Sequence, residues 1–159
     1  MSDVESARFR QLLGRFATGV TIVTATDSQG NPAGMTANTL TSVSLVPPLI
    51  SVCIDRSADM HSTLEHARAF AINVLGTDQE ALSRRFAEED SGRFEGVGFR
   101  RTEGGAIVLE GALAHIECER YAQYESGDHS IFLGRVVGGE TSEGEPLLYY
   151  RGGYASLAR

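Results

Sequence analysis

Much that would announce a common protein class is missing from this sequence. Only 2 cysteines occur, Cys53 and Cys118, far apart in apolar segments. That is too few for a disulfide framework and suits buried thiols in a reducing cytoplasm. No apolar run approaches the roughly 20 residues that a bilayer-spanning helix needs. Residues 1–16 lack the apolar stretch of a secretory signal, so no export is expected. Positive charge is in deficit: 14 Lys and Arg against 21 Asp and Glu leave a net charge of -7 and a pI near 5.1. Without a basic stripe, nucleic acid and anionic membrane are excluded as partners, and small ligands remain. No Gly-x-Gly-x-x-Gly follows a strand-like run, and Gly138 to Gly144 lacks the Lys and the following Ser or Thr of a phosphate loop. The Gly-x-Ser-x-Gly elbow of hydrolases is absent. His61, His66, His115 and His129 share no metal-ligand spacing with the cysteines, which excludes a zinc site.

The chain is 159 residues long and 42% hydrophobic, enough for one buried core, and one domain over residues 1–159 is expected. Phe9, Leu12, Leu13 and Phe16 recur at helical spacing behind a Ser2 and Glu5 capping box, which predicts an amphipathic helix stopped by Gly19. Val20 to Thr26 alternates as a strand, and Asp27 to Pro32 is dense in turn formers. Leu49 to Ile54, Phe70 to Leu75, Ala106 to Cys118, Ser130 to Val137 and Leu147 to Tyr150 are further strand-like runs. Met60 to Ala67 and Asp78 to Ala87 read as helices. Strands outnumber helices and their spacing is too irregular for βαβ units. The pattern therefore predicts a mainly β, closed or nearly closed antiparallel barrel with a few capping helices. Glu88 to Gly105, polar and glycine-containing, is the expected mobile excursion.

Three segments carry the polar chemistry. In Gly34 to Ser44, six of eleven side chains are small hydroxyls or amides (Thr36, Asn38, Thr39, Thr41, Ser42, Ser44). Such a run suits a phosphate tail and the polar edge of a flat heteroaromatic ring, and equally a plain edge strand. In the second segment, Asp55 begins a strand-to-helix passage where Arg56, Ser57, His61 and Ser62 can meet a dianionic phosphate at a helix N-terminus. Ordinary capping by Ser57 or Asp59 explains the same residues. In the third, Gly127-Asp128-His129-Ser130 precedes a strand, placing an imidazole where it can pack on a nicotinamide, with Asp128 fixing its tautomer. A surface turn histidine is the alternative.

Over nearly its whole length the chain resembles the short-chain flavin reductases, which supply reduced FMN or FAD to flavin-dependent monooxygenases. The likeness rests on the order of Phe16-Ala17-Thr18-Gly19-Val20-Thr21, Gly34-Met35-Thr36-Ala37-Asn38-Thr39, Ser42-Val43-Ser44-Leu45 with Pro47-Pro48, and Phe70-Ala71-Ile72-Asn73-Val74-Leu75. Arg84-Arg85-Phe86-Ala87, Gly127-Asp128-His129-Ser130 and Pro146 to Tyr154 complete it. The resemblance implies a homodimer of FMN-binding split β-barrels of Greek-key type, with flavin in a groove near the subunit interface and NADH or NADPH as co-substrate.

By the same resemblance Met35, Thr36, Ala37, Asn38 and Thr39 line the ring and ribityl chain, with Ser42 and Ser44 close by. Asp55, Arg56, Ser57, His61 and Ser62 receive the phosphate, and Arg84 and Phe86 border the nucleotide. His129, held by Asp128, positions the nicotinamide, and Tyr149, Arg151 and Tyr154 close the pocket. No side chain is implied as acid, base or nucleophile. Two departures stand out: Thr39 where relatives commonly carry Ser, and Gly153 where a larger polar residue is usual. The other readings left open are a split-barrel flavoprotein that keeps its flavin and a non-catalytic FMN- or haem-binding module.

Overall fold

The computed structural model describes residues 1–88 and 92–158. The chain opens with helix α1 (Ser6–Leu13), then β1 (Thr18–Gly19), β2 (Thr21–Thr26), β3 (Pro32–Ala37), β4 (Thr41–Leu45) and β5 (Pro48–Asp55). Helix α2 (Asp59–His66), β6 (Ala69–Val74), a 3-10 turn (Thr77–Gln79) and α3 (Glu80–Ala87) follow. The remainder is β7 (Phe99–Arg101), β8 (Ile107–Leu109), the long hairpin β9 (Ala114–Ser126) and β10 (His129–Thr141), then β11 (Leu148–Tyr150) and β12 (Gly153–Ala155). Seven strands form one antiparallel sheet in the order β3-β2-β6-β9-β10-β5-β4, while β1, β11 and β12 form a second sheet and β7 and β8 a third. The mainly β, antiparallel barrel expected from the strand pattern is the observed architecture.

Strand β2 is buried along nearly its whole length because both of its faces are covered. Val23 and Ala25 point into a core with Val52, Ile54, Phe70, Ile72 and Phe132, capped by Met60 and Leu64 of α2. Ile22, and Val20 just before the strand, point the other way, into a second core with Leu75, Phe86, Leu109 and Leu147. Thr24, on that second face, is reconciled with burial by its hydroxyl, which donates to Ile107 O. Asn73 of β6, fully buried, ties the layers together. Its amide donates to Ile22 O (3.1 Å) and to Thr24 Oγ1 (3.0 Å), and its carbonyl accepts from Leu109 N (2.9 Å).

Several boundaries differ from the sequence reading. The Ser2 and Glu5 capping box is not formed: α1 begins at Ser6 with no side-chain cap, and ends at Gly14 rather than Gly19. The chain must leave the helix there so that Thr18 and Gly19 can pair with Tyr149 and Leu148. The expected strand Ala106 to Cys118 breaks at Gly111 (φ 77°). One piece, β8, pairs with β7, while β9 pairs with β6 and β10. The polar run Gly34 to Ser44 is two strands joined by a loop, β3 on one edge of the sheet and β4 on the other.

In the segment expected to be a mobile excursion, Arg93, Phe94 and Phe99 are packed against the body of the chain, and residues 89–91 lie outside the described residues. Phe86, Phe94 and Phe99 stack edge to face at 4.9 and 5.4 Å, and Arg93 donates to Gly34 O at 2.8 Å. Gly34 permits this packing, since a Cβ there would lie 2.9 Å from the Phe86 ring.

Candidate active site

The edge strands β3 and β4 leave a seam in the barrel, and the three polar segments meet along it. Thr39 bridges the seam. Its hydroxyl accepts from Cys53 N (3.0 Å) and donates to Cys53 O (3.1 Å), serving the backbone of β5 just beyond the reach of β4. A serine hydroxyl can do the same, so the Thr39 departure leaves the bond pattern intact. Next to it Asn38 Nδ2 donates to Thr18 Oγ1 (3.2 Å), joining the loop to β1 and through β1 to Tyr149.

At that end Tyr149 and Tyr154 pack edge to face (5.6 Å). Tyr154 OH and Ser83 Oγ share a hydrogen bond of 2.7 Å, and the Arg84 guanidinium lies 4.7 Å above the Tyr154 ring. Thr36 spends its hydroxyl on Ser83 O (2.6 Å), which fixes α3 against β3. A cavity of about 220 Å³ opens between Thr36, Ala37, Asn38, Val20, Ala87 and the two tyrosines.

A larger cavity, of about 700 Å³, lies on the other side of Asn38. One wall is apolar, Phe9, Leu13 and Phe16, and the other carries Thr18, Thr21, Asn38, Thr39 and Thr41. An apolar face opposite a row of short donors and acceptors fits a flat, polar-edged ring such as a flavin. The residues of α1 here escape a reading based on polar motifs. Their helical spacing is visible in the sequence as an amphipathic helix but carries no ligand signal, and Phe9, Leu12, Leu13 and Phe16 are 54%, 48%, 52% and 74% exposed.

At the opposite end of the strip the second and third segments meet. His129 lies across from Asp55 in the β10–β5 ladder, and Arg56 N donates to Asp128 O (2.9 Å). His129 Nδ1 donates to Asp128 Oδ1 at 2.7 Å, so the tautomer-fixing role expected for Asp128 has the required geometry. The imidazole is half-exposed.

The Ser57 N–H, then the Ser57 hydroxyl, both donating at 2.8 Å, hold the Asp55 carboxyl below its ordinary value of 3.8, with smaller contributions from His129 and His61. A lowered carboxyl pKa stabilises the fold above the unfolded value, and that contribution is lost as pH falls through the folded one. Wild type is therefore expected to lose part of its thermal stability below pH 3.8 that Asp55→Asn lacks at any pH. Melting curves at neutral and acid pH, taken for both proteins, check this.

Not all of the expected residues come to the strip. His61 is buried, its Nε2 hydrogen-bonded to Ser130 Oγ (2.8 Å) and its ring edge-on to Phe132. It is a buried residue whose ring is engaged by Ser130 and Phe132 and not presented on the surface. Ser62 donates to Asp59 O within α2, and Arg56 faces Glu125 at 3.6 Å. Phe86 is fully buried in the second core, and the Met35 side chain packs on the first. Ser42 and Ser44 run down β4 opposite Ile50 and Leu49, away from Cys53. Arg151 stands at the tip of the β11–β12 turn and lines a different cleft from Tyr149 and Tyr154. Neither thiol is activated: burial raises the pKa of both, Cys118 to about 12, and both cysteines are free.

The family described as "Flavin reductase like domain" matches residues 13–158. A flavin reductase of Pseudomonas putida is 40% identical over 99% of this chain and 93% of its own length. The FMN reductase (NADH) SmoA of Agrobacterium fabrum is 41% identical over 97% of this chain and 87% of its own. Among solved structures, the NADH:FAD oxidoreductase SgcE6 of Streptomyces globisporus, in complex with NAD and FAD fragments, superposes with a TM-score of 0.91. It is 39% identical and covers 99% of this chain and 98% of its own. A continuous polar strip along a barrel seam, a cavity suited to a flat ring, and matches that span the chain agree: this protein belongs to the flavin reductase family.

Proposed function

We propose that this chain reduces an exchangeable flavin, FMN or FAD, with a reduced nicotinamide nucleotide and releases it to a separate flavin-dependent monooxygenase. The observation that carries the reading is the 700 Å³ cavity, walled by α1 on one side and the Asn38 to Thr41 hydroxyl and amide row on the other. When bound there, the flavin supplies the redox chemistry by accepting a hydride from the nicotinamide. The chain's contribution is positional. Thr18 and Asn38 present donors to the ring edge, Thr39 holds their loop through its two bonds to Cys53, and Tyr149, Tyr154 and Arg84 close the strip. Arg56 and Ser57, both exposed, can exchange their internal partners for a phosphate.

The nicotinamide donor of SmoA and of SgcE6 is NADH by name, and NADH is the expected donor here. A second copy is the expected cover for the exposed apolar face of α1, making a homodimer of one-domain chains. The cytoplasm suits the two free thiols.

The test is nicotinamide oxidation by the purified chain with FMN, with FAD and with neither. Rates that saturate in added flavin are expected. A flavin retained through dialysis and working without addition points instead to the flavoprotein that keeps its cofactor. Bound flavin or haem without turnover points to the binding module. In the same assay His129→Ala is expected to raise the NADH KM about tenfold, the worth of roughly 1.4 kcal/mol, and to leave the flavin Kd unchanged. The reverse pattern removes His129 from the nicotinamide site.

A further inference from the structure

We propose that the open cleft between α1 and the β11–β12 turn is an anion site for a nucleoside diphosphate, held by Arg8, Arg10, Arg15 and Arg151. The cleft measures about 670 Å³, and no carboxylate lines it. That is unexpected in a chain of net charge -7, where cations are scarce and mostly spent. Arg56, Arg84, Arg100 and Arg135 each face a glutamate, and Arg85, Arg93 and Arg120 donate to carbonyls. By contrast the side chains of Arg10, Arg15 and Arg151 have no hydrogen bond or ion pair among the described residues, and Arg8 has only Gln11, at 3.4 Å. One arginine in a last helical turn is ordinary dipole matching. Four around one cleft concentrate uncompensated charge.

The backbone supplies a second, independent observation. Arg151 has φ 52° and is the one non-glycine residue with positive φ among the described residues. With Gly152 at φ 78° it forms a two-residue hairpin turn, whose first position favours Asn, Asp or Gly. An arginine held in this conformation, with its N–H donating to Gly14 O at 3.0 Å, lines the same cleft as Arg8, Arg10 and Arg15. Strained residues of this kind concentrate at ligand sites.

Guanidinium forks match phosphate oxygens in pairs, and a single phosphate leaves most of a cleft this large empty, whereas a diphosphate offers several of the four guanidinium groups an oxygen and its nucleoside occupies more of the space. At the other end of the strip, Ser57, Arg56 and Ser62 must surrender internal bonds to take an anion; here only the long Arg8–Gln11 contact has to be broken. The diphosphate has two possible sources, the adenylate half of the dinucleotide substrate or a free nucleotide. The first alone rests on the reductase reading.

The test is calorimetric titration of the flavin-free chain with ADP, with adenosine as control. Saturable ADP binding is expected, weakened by added salt and at least about tenfold weaker in an Arg10→Gln/Arg15→Gln variant, with no heat from adenosine. Both side chains are exposed, so the variant is expected to melt with the wild type. No saturable ADP binding, or equal affinity in the variant, overturns the proposal, and neither result bears on flavin turnover. Given arginine-dependent ADP binding, an NADH KM raised in parallel identifies the dinucleotide as the source, and an unchanged KM identifies a free nucleotide.

Discussion

Replacing Thr39 by valine is expected to raise the flavin Kd about thirtyfold, while Thr39→Ser stays within about twofold of wild type. The two bonds to Cys53 are made by one hydroxyl, which serine keeps and valine loses at nearly constant shape. Two hydrogen bonds worth about 1 kcal/mol each make about 2 kcal/mol, which corresponds to roughly thirtyfold in affinity. The loss reaches the ligand because Thr39, Asn38 and Leu40 all line the larger cavity. With Thr39 unpinned, binding must order the loop as well as fill the site. Flavin fluorescence titration measures it. Equal affinities for all three proteins, or a serine variant as weak as valine, removes Thr39 from this role.

The second large effect is on the fold itself. Asn73→Leu is expected to destabilise the chain by about 3 kcal/mol, because it leaves the buried Leu109 N–H unsatisfied, at about 1 to 3 kcal/mol, and removes two further buried bonds worth about 1 kcal/mol each. For a chain of this size that lowers Tm by roughly 6 to 12 °C. Leucine adds apolar bulk, but it cannot replace three bonds that join β2, β6 and β8. A thermal melt within about 2 °C of wild type shows that the network is dispensable.

Asn73 also illustrates what can be read along a chain and what cannot. The run Phe70 to Leu75 is visible as a strand, and its place in the family pattern is visible too, but a lone asparagine in it signals nothing. Its partners lie 36 to 51 positions away. His61 is the converse case. Beside Ser57 and Ser62 it reads as a phosphate ligand, yet α2 turns it inward onto Ser130. Helical geometry puts neighbouring side chains on different faces, and the face that packs is chosen by the barrel beneath. Ser42 and Ser44 belong to the same polar run as Thr39. They are carried away because the run divides between two strands on opposite edges of the sheet.

What local residue chemistry determined here is considerable: the strand-rich antiparallel class, the helices over α2 and α3, and the polar segments around Asn38, Ser57 and His129. These follow from periodicity, turn residues and short-range hydrogen-bonding capacity, which act over a few residues. Only the tertiary structure decided that these segments share one seam, that Thr39 closes it, and that the apolar face of α1 walls a cavity instead of joining the core. Only it gathered four arginines from two distant stretches around one cleft. Such juxtapositions depend on strand order and register, which are settled by how the whole chain buries its two cores at once.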